Sequence, residues 1–217
     1  MKKYSVIYAD PPWKYRATSN ARSPEAHYPT MRTQDICALP VSDISAENCA
    51  LFIWATMPKL KDAFAVIEAW GFKFKTAAFV WIKLNPNSDR LFWGMGAWTR
   101  SNAELCLFAT KGQPQRKSAS VHQVIISHLE EHSKKPEEAR RRIEALMGDV
   151  PKIELFARRT SPAGMYGVMK FHVMCFYKCV SWWDLFLSHI LKFPQRHSLC
   201  PELIEHHLLL MLFVSDP

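Results

Sequence analysis

The sequence predicts an α/β protein with a mostly parallel sheet and helices on both of its faces. Two observations lead there. The candidate strands are unbroken apolar runs rather than alternating ones, the pattern of strands buried on both sides. They also alternate along the chain with amphipathic helices. A third observation bears on function. "VIYADPPWKY", Val6 to Tyr15, ends its apolar run on an acid, two prolines and a tryptophan, and ligands of such sheets bind beyond the C-terminal ends of the strands.

Tyr4 to Ala9 reads as the first strand. Lys14 to Pro29 is polar, without apolar period, and reads as a long surface loop; loops of this length in compact domains are often functional. "ALFIWA", Ala50 to Ala55, is a second strand. Pro58 to Trp70 places Leu60, Phe64 and Ile67 at helical spacing, with proline in the first turn and Gly71 as a stop. "FKTAAFVWI", Phe74 to Ile82, is a third strand, and Lys83 to Arg100 a second long loop broken by Gly94 and Gly96. "AELCLFAT", Ala103 to Thr110, is a fourth strand and Val121 to Ser127 a short fifth. Pro136 to Met147 is a helix, with Glu137 and Glu138 in its positive first turn and Gly148 after it. "KIELFA", Lys152 to Ala157, is the last strand. Beyond Arg159 no helical or strand period is sustained. The expected division is a domain over 1–160 and an atypical, poorly ordered tail over 161–217.

The chain has 217 residues, a length that suits one domain with an appendage. Its formal net charge of +8 fits an anionic partner such as nucleic acid, although an inert basic surface carries the same number. Six cysteines stand at irregular spacing without a C-x-x-C pair, which argues against zinc and for free thiols in a reducing compartment. The apolar run at the N-terminus is too short for a signal peptide, and nothing resembles a membrane span. The expectation is a cytoplasmic protein with no metal and no membrane partner.

The sequence Asp10-Pro11-Pro12-Trp13 suits a substrate that is an exocyclic amine on an aromatic base. Such an amine is a weak nucleophile because its lone pair is delocalised into the ring. The Asp10 carboxylate is one acceptor for its hydrogens and the Pro11 carbonyl, on a stiffened backbone, is another. Trp13 offers a flat face for the base, worth roughly 1–3 kcal/mol. A strand end with an Asx-Pro turn and a core tryptophan is the plainer alternative. A chance match of all four residues is on the order of one in several thousand for a chain of this length.

"DPPW" after a short apolar strand resembles the signature of the MT-A70 family of adenine-N6 methyltransferases. Further tracts resemble the family in order: "HYPTM" (27–31), "LFIWAT" (51–56), "WGMGAWTRSNAELCLFATKG" (93–112), "HSKKPEE" (132–138) and "KIELFARR" (152–159). The resemblance runs from residue 4 to about 160. It implies a Rossmann-like class I methyltransferase fold and S-adenosylmethionine as cofactor. It implies Asp10, Pro11, Pro12 and Trp13 as the catalytic motif, with Asp10, Lys135 and Arg158 toward the cofactor. Trp13, Tyr15, Trp98, Asn102 and Glu104 fall on the substrate side. Read alone, Lys135 is a solvated charge at a helix start, Arg158 a surface cation, Glu104 a surface acid and Trp98 a core residue. Small members of the family resemble DNA enzymes, so DNA is the expected partner. The alternatives are RNA and a catalytically impaired nucleic-acid-binding homologue.

The family pattern breaks after Arg159. A tract like Gly-Trp-Asp-x-Trp-Gly-Asn-Glu, which the resemblance implies for the cofactor's ribose, is replaced by "TSPAGMYGVMKFHV". Reverse-translated one base out of frame, "AGMYGVMKFHV" can spell Trp-Asp-Val-Trp-Gly-Asn-Glu-Val-Pro. A one-base frameshift near Thr160 to Ala163 accounts for this; a genuine lineage-specific tail is the alternative.

Overall fold

A computed structural model describes residues 2–15, 29–96, 98–130, 134–157 and 171–174. The chain divides into two compact units, Met1–Tyr177 and Lys178–Pro217, and every described residue lies in the first.

Strand β1 (Tyr4–Ala9) is followed by two short helices, α1 (Thr33–Cys37) and α2 (Val41–Ile44), and then by β2 (Ser45–Ala55). A single 3-10 turn, Met57–Lys59, leads into α3 (Leu60–Ala69), with Pro58 inside the turn. Strand β3 (Lys73–Asn85) turns back into β4 (Ser88–Leu91). Then follow β5 (Glu104–Lys111), β6 (Val124–His128), α4 (Glu137–Met147), β7 (Lys152–Leu155) and β8 (Phe171–Met174). These eight strands form one sheet, in the order β4-β3-β5-β2-β1-β7-β8 with β6 also on β3.

The sheet is mixed, with parallel and antiparallel pairings side by side, where a mostly parallel one was expected. β1 runs parallel to β2 and β7, β7 to β8, and β3 to β6. β5 runs antiparallel to both β2 and β3, and β4 antiparallel to β3. The reason is physical. An unbroken apolar run reports that a strand is covered on both faces and carries no information about direction. β2 and β5 are both such runs and pair antiparallel from Cys49↔Lys111 to Ala55↔Leu105.

Alternate residues of β1 go to different clusters. Ile7 and Ala9 pack with Ile36 of α1 and Ala63, Val66 and Ile67 of α3. Val6 and Tyr8 pack with Ala139, Ile143 and Met147 of α4. Burying side chains of this size contributes about 1.5–3 kcal/mol each, so β1 is anchored from both sides.

The loop expected over Lys83 to Arg100 is partly a hairpin. β3 continues to Asn85, and "NPNS" makes the turn into β4 with residue types that favour turns. All four β4 residues are exposed, so the strand leaves no apolar trace in the sequence. Four residues of the expected tail, Phe171–Met174, form β8 beside β7 from Lys152↔Phe171. Residues 158–170 and 175–217 lie outside the described residues, and so do most of the loop over Lys14 to Pro29, His27 and Tyr28 of the "HYPTM" tract, and Arg158.

Candidate active site

Asp10 is the first residue past β1, at the C-terminal end of a strand flanked on both sides by parallel neighbours. Its backbone N–H donates to the Leu155 carbonyl at 3.4 Å, at the end of β7. The next residues are braced tightly. The Trp13 N–H donates to the Pro11 carbonyl at 2.9 Å, closing a three-residue turn on Pro12; the ring of a proline presets the φ such a turn needs. The Pro12 carbonyl accepts from the Met31 N–H at 2.8 Å, and the Lys14 N–H donates to the Met31 carbonyl at 3.1 Å. Pro11's carbonyl, expected to face the substrate, thus spends one lone pair inside the motif and keeps the second.

A pocket opens here, lined among others by Asp10, Pro11, Trp13, Tyr15, Trp54, Glu104 and Lys135. Trp13 is only 5% exposed and belongs to the core cluster; its indole N–H donates to the Trp54 carbonyl at 3.1 Å. It is therefore both a core side chain and part of the pocket wall. Trp54 donates its own indole N–H to the Tyr8 hydroxyl at 2.8 Å, and the Lys135 ammonium lies 5.7 Å from the Trp54 ring. The Tyr15 hydroxyl and Thr56 Oγ1 are 2.6 Å apart at the pocket edge.

The charges are crowded and balanced. Lys135 Nζ stands 2.9 Å from Asp10 Oδ1 and 3.0 Å from Oδ2, and 3.4 Å from Glu104 Oε2. Lys83 Nζ stands 2.5 Å from Glu104 Oε1. Two ammoniums thus offset two carboxylates. Burial pushes the Glu104 carboxyl up, but Lys135 and Lys83 outweigh it and hold it below the usual carboxylate range. Behind Lys135, Arg140 of α4 makes a bidentate pair with Glu154 of β7 at 2.9 and 2.6 Å and bonds Glu137 at 2.7 Å. The start of α4, and with it Lys135, is thereby tied to the sheet.

Asn102 and Trp98, expected on the substrate side, are not among the pocket's lining residues. The Asn102 amide is engaged with backbone. Its Oδ1 accepts the Lys83 N–H at 2.9 Å, and its Nδ2 donates to the carbonyls of Lys83 and Phe92 at 2.9 and 2.5 Å. Trp98 is 99% exposed. It projects from a loop closed by the Gly94 N–H on the Ser101 carbonyl at 2.7 Å. A Cβ on Gly96 would stand 1.9 Å from the Thr99 carbonyl oxygen, so only glycine fits there.

Sequence reading passed over Lys83, Thr56 and Trp54. Thr56 had a legible signal, being the first residue beyond β2 as Asp10 is beyond β1. Lys83 had none: its approach to Glu104 follows from the antiparallel pairing of β3 with β5. Among the described residues, no three His, Cys, Asp or Glu side chains gather as for a metal ion, and no helix is long and apolar enough to cross a membrane.

The MT-A70 family pattern matches residues 4–166. The chain is 35% identical over 177 residues to the Type II methyltransferase M.MunI of Mycoplasma sp, covering 72% of this chain and 73% of that protein. It is 30% identical over 156 residues to the N(6)-adenosine-methyltransferase MT-A70-like protein of Arabidopsis thaliana, covering 71% and 22%. It is 28% identical over 158 residues to the human N(6)-adenosine-methyltransferase catalytic subunit METTL3, covering 72% and 26%. The chain thus spans about a quarter of the length of these two eukaryotic relatives. With the family pattern matched across most of the described residues and Asp10 seated at the strand end, the chain belongs to the MT-A70 family of methyltransferases.

Proposed function

We propose that this protein transfers a methyl group from S-adenosylmethionine to the N6 amine of adenine in DNA. The observation that carries the reading is the Asp10 carboxylate at the C-terminal end of β1, in a pocket with Glu104 and Lys135. A crevice in this position is where α/β sheets take nucleotide-like ligands. The donor set suits the cofactor: carboxylates for its cationic groups, an ammonium for its carboxylate and aromatic walls for an adenosyl ring. Asp10 and Lys135 would hold it, with Arg158 beyond the described residues. When bound, S-adenosylmethionine supplies an electrophilic methyl group on a sulfonium. The Rossmann-like class I methyltransferase architecture belongs to the same reading, supported by the parallel β2-β1-β7 centre and by the helices in both core clusters.

In this reading Asp10 accepts one N–H of the adenine amine and stabilises the positive charge that develops on nitrogen. The remaining lone pair of Pro11's carbonyl accepts the other. Trp13 and Tyr15 bound the base, and a duplex target is flipped out to reach them. The choice of DNA is supported by the matched lengths: 73% of a Type II methyltransferase against 22% and 26% of relatives named for adenosine. Action in a cytoplasm goes with it.

The test is direct. The full chain is incubated with methyl-labelled S-adenosylmethionine and separate DNA and RNA pools, and the labelled nucleoside is identified. N6-methyldeoxyadenosine is expected. Label in RNA alone moves the reading to RNA. Binding of both pools without label favours an impaired homologue, a reading supported by the end of the family match at residue 166.

A further inference from the structure

An amine arriving at Asp10 competes with the Lys135 ammonium, which spans both carboxylate oxygens at 2.9 and 3.0 Å and offsets the charge the amine nitrogen needs as it turns positive. Displacing a cation of side-chain exposure 8% into an apolar wall would be costly. The structure provides another place for it. Glu104 Oε2 already stands 3.4 Å from the same ammonium, and Glu104 is held from its far side by Lys83 on Oε1. Lys83 is itself steadied. Its backbone is gripped from both sides by the Asn102 amide, and its ammonium lies 5.1 Å from the Trp81 ring.

We propose that Lys83 is a positioning residue, anchoring Glu104 as a second berth to which the Lys135 ammonium moves when a substrate amine takes its place on Asp10. This rests on the adenine-amine reading above. The charge count does not change during the move, because the lysine passes between two carboxylates it already contacts. The charged groups around Glu104 are Lys83 from β3, Lys135 from the segment before α4, and Asp10 across Lys135. Cys106, two residues on in β5, is a buried thiol pushed up by its burial and stays uncharged. Without Lys83, Glu104 keeps one cation instead of two, and sharing it with Asp10 becomes unfavourable.

Carbon-13 NMR of the full chain tests this without requiring turnover. The Glu104 carboxyl and Lys135 Cε signals are assigned with Glu104→Gln and Lys135→Met. In Lys83→Met the Glu104 titration midpoint is expected to rise by about 1 pH unit or more, as loss of an adjacent opposite charge demands, while Lys83→Arg keeps it low. A single-stranded oligonucleotide with adenine is then compared with one carrying purine, which lacks the 6-amino group. In the unaltered protein, adenine should shift Asp10, Lys135 and Glu104 together, whereas purine should leave Lys135 on Asp10. An unchanged Glu104 midpoint in Lys83→Met overturns the role of Lys83. Asp10 shifting with adenine while Lys135 and Glu104 stay still overturns the berth alone. No response of Asp10 to adenine overturns the amine reading and the berth with it. The two oligonucleotide arms use the unaltered chain, so they decide the berth even if Lys83→Met fails to fold, and Lys83→Gln, of similar length and polar, then carries the Glu104 midpoint test of Lys83.

Discussion

The pocket around Asp10 and the loop from Phe92 to Ser101, which runs just ahead of the pocket residue Glu104, are built in opposite ways. In the pocket, side chains are held by other side chains. Asp10, Lys135, Glu104 and Lys83 form one connected line of ion pairs, each side chain between 8% and 21% exposed. In the loop, backbone holds backbone and the side chains point out: Trp93 is 61% exposed, Met95 76% and Trp98 99%. The Gly94–Ser101 bond, the close approach at Gly96 and the Asn102 amide shape the loop without using its aromatic residues. Reaction chemistry needs groups preorganised to fractions of an ångström. Gripping a polymer needs apolar and cationic surface at the right place, and tolerates side-chain freedom.

This contrast can be broken at either end. The largest effect belongs to Asp10→Ala. Methyl transfer should fall by about a hundredfold to a thousandfold, the scale of losing one group that stabilises transition-state charge. The fold should survive, because Lys135 keeps its contact with Glu104 at 3.4 Å. Turnover assays beside thermal unfolding check both halves, and near-normal turnover would remove Asp10 from the chemistry. A comparable effect concerns the cofactor. If the chain beyond Arg159 is out of frame, a protein with the frame restored should bind S-adenosylmethionine about a hundredfold more tightly, as several hydrogen bonds regained together imply. Calorimetry on the two proteins decides it, and equal affinity would make the tail a genuine part of the protein. The smallest effect belongs to the loop. Trp98→Ala should leave stability within about 0.5 kcal/mol of the original, as exposed sites do. It should weaken nucleic-acid binding by about 1–3 kcal/mol, the scale of one base–aromatic stack. A loss of stability with unchanged binding would make Trp98 a structural residue and erase the contrast.

The sequence was informative in the same uneven way. The Asp10 motif was legible because four unusual residue types are contiguous, and the strand carrying them is apolar throughout. Lys135 was legible through its resemblance to family members, although nothing local separates it from Lys134, whose ammonium pairs with Glu130 instead. Strand direction was not legible, since β2 and β5 have the burial of parallel strands and run antiparallel. Asn102 was expected beside the substrate, yet its amide is committed to the carbonyls and N–H of its neighbours. An asparagine's partners follow from the path of the backbone, which the residue type does not encode. Lys83 went unseen for the same reason.

The pairing of β1 with β7, from Val6↔Lys152 to Ala9↔Leu155, joins the beginning of the chain to a strand near the end of the family match. During synthesis β1 leaves the ribosome ahead of the other described strands, and one of its two edges then stays open until β7 has been made. Contacts this distant in sequence slow folding and lengthen exposure to wrong partners. Asp10 can acquire Lys135 only late in synthesis, since the lysine stands 125 residues further along the chain, just ahead of α4 and β7. A nascent chain therefore carries Asp10 without its counter-ion until most of the domain has been made.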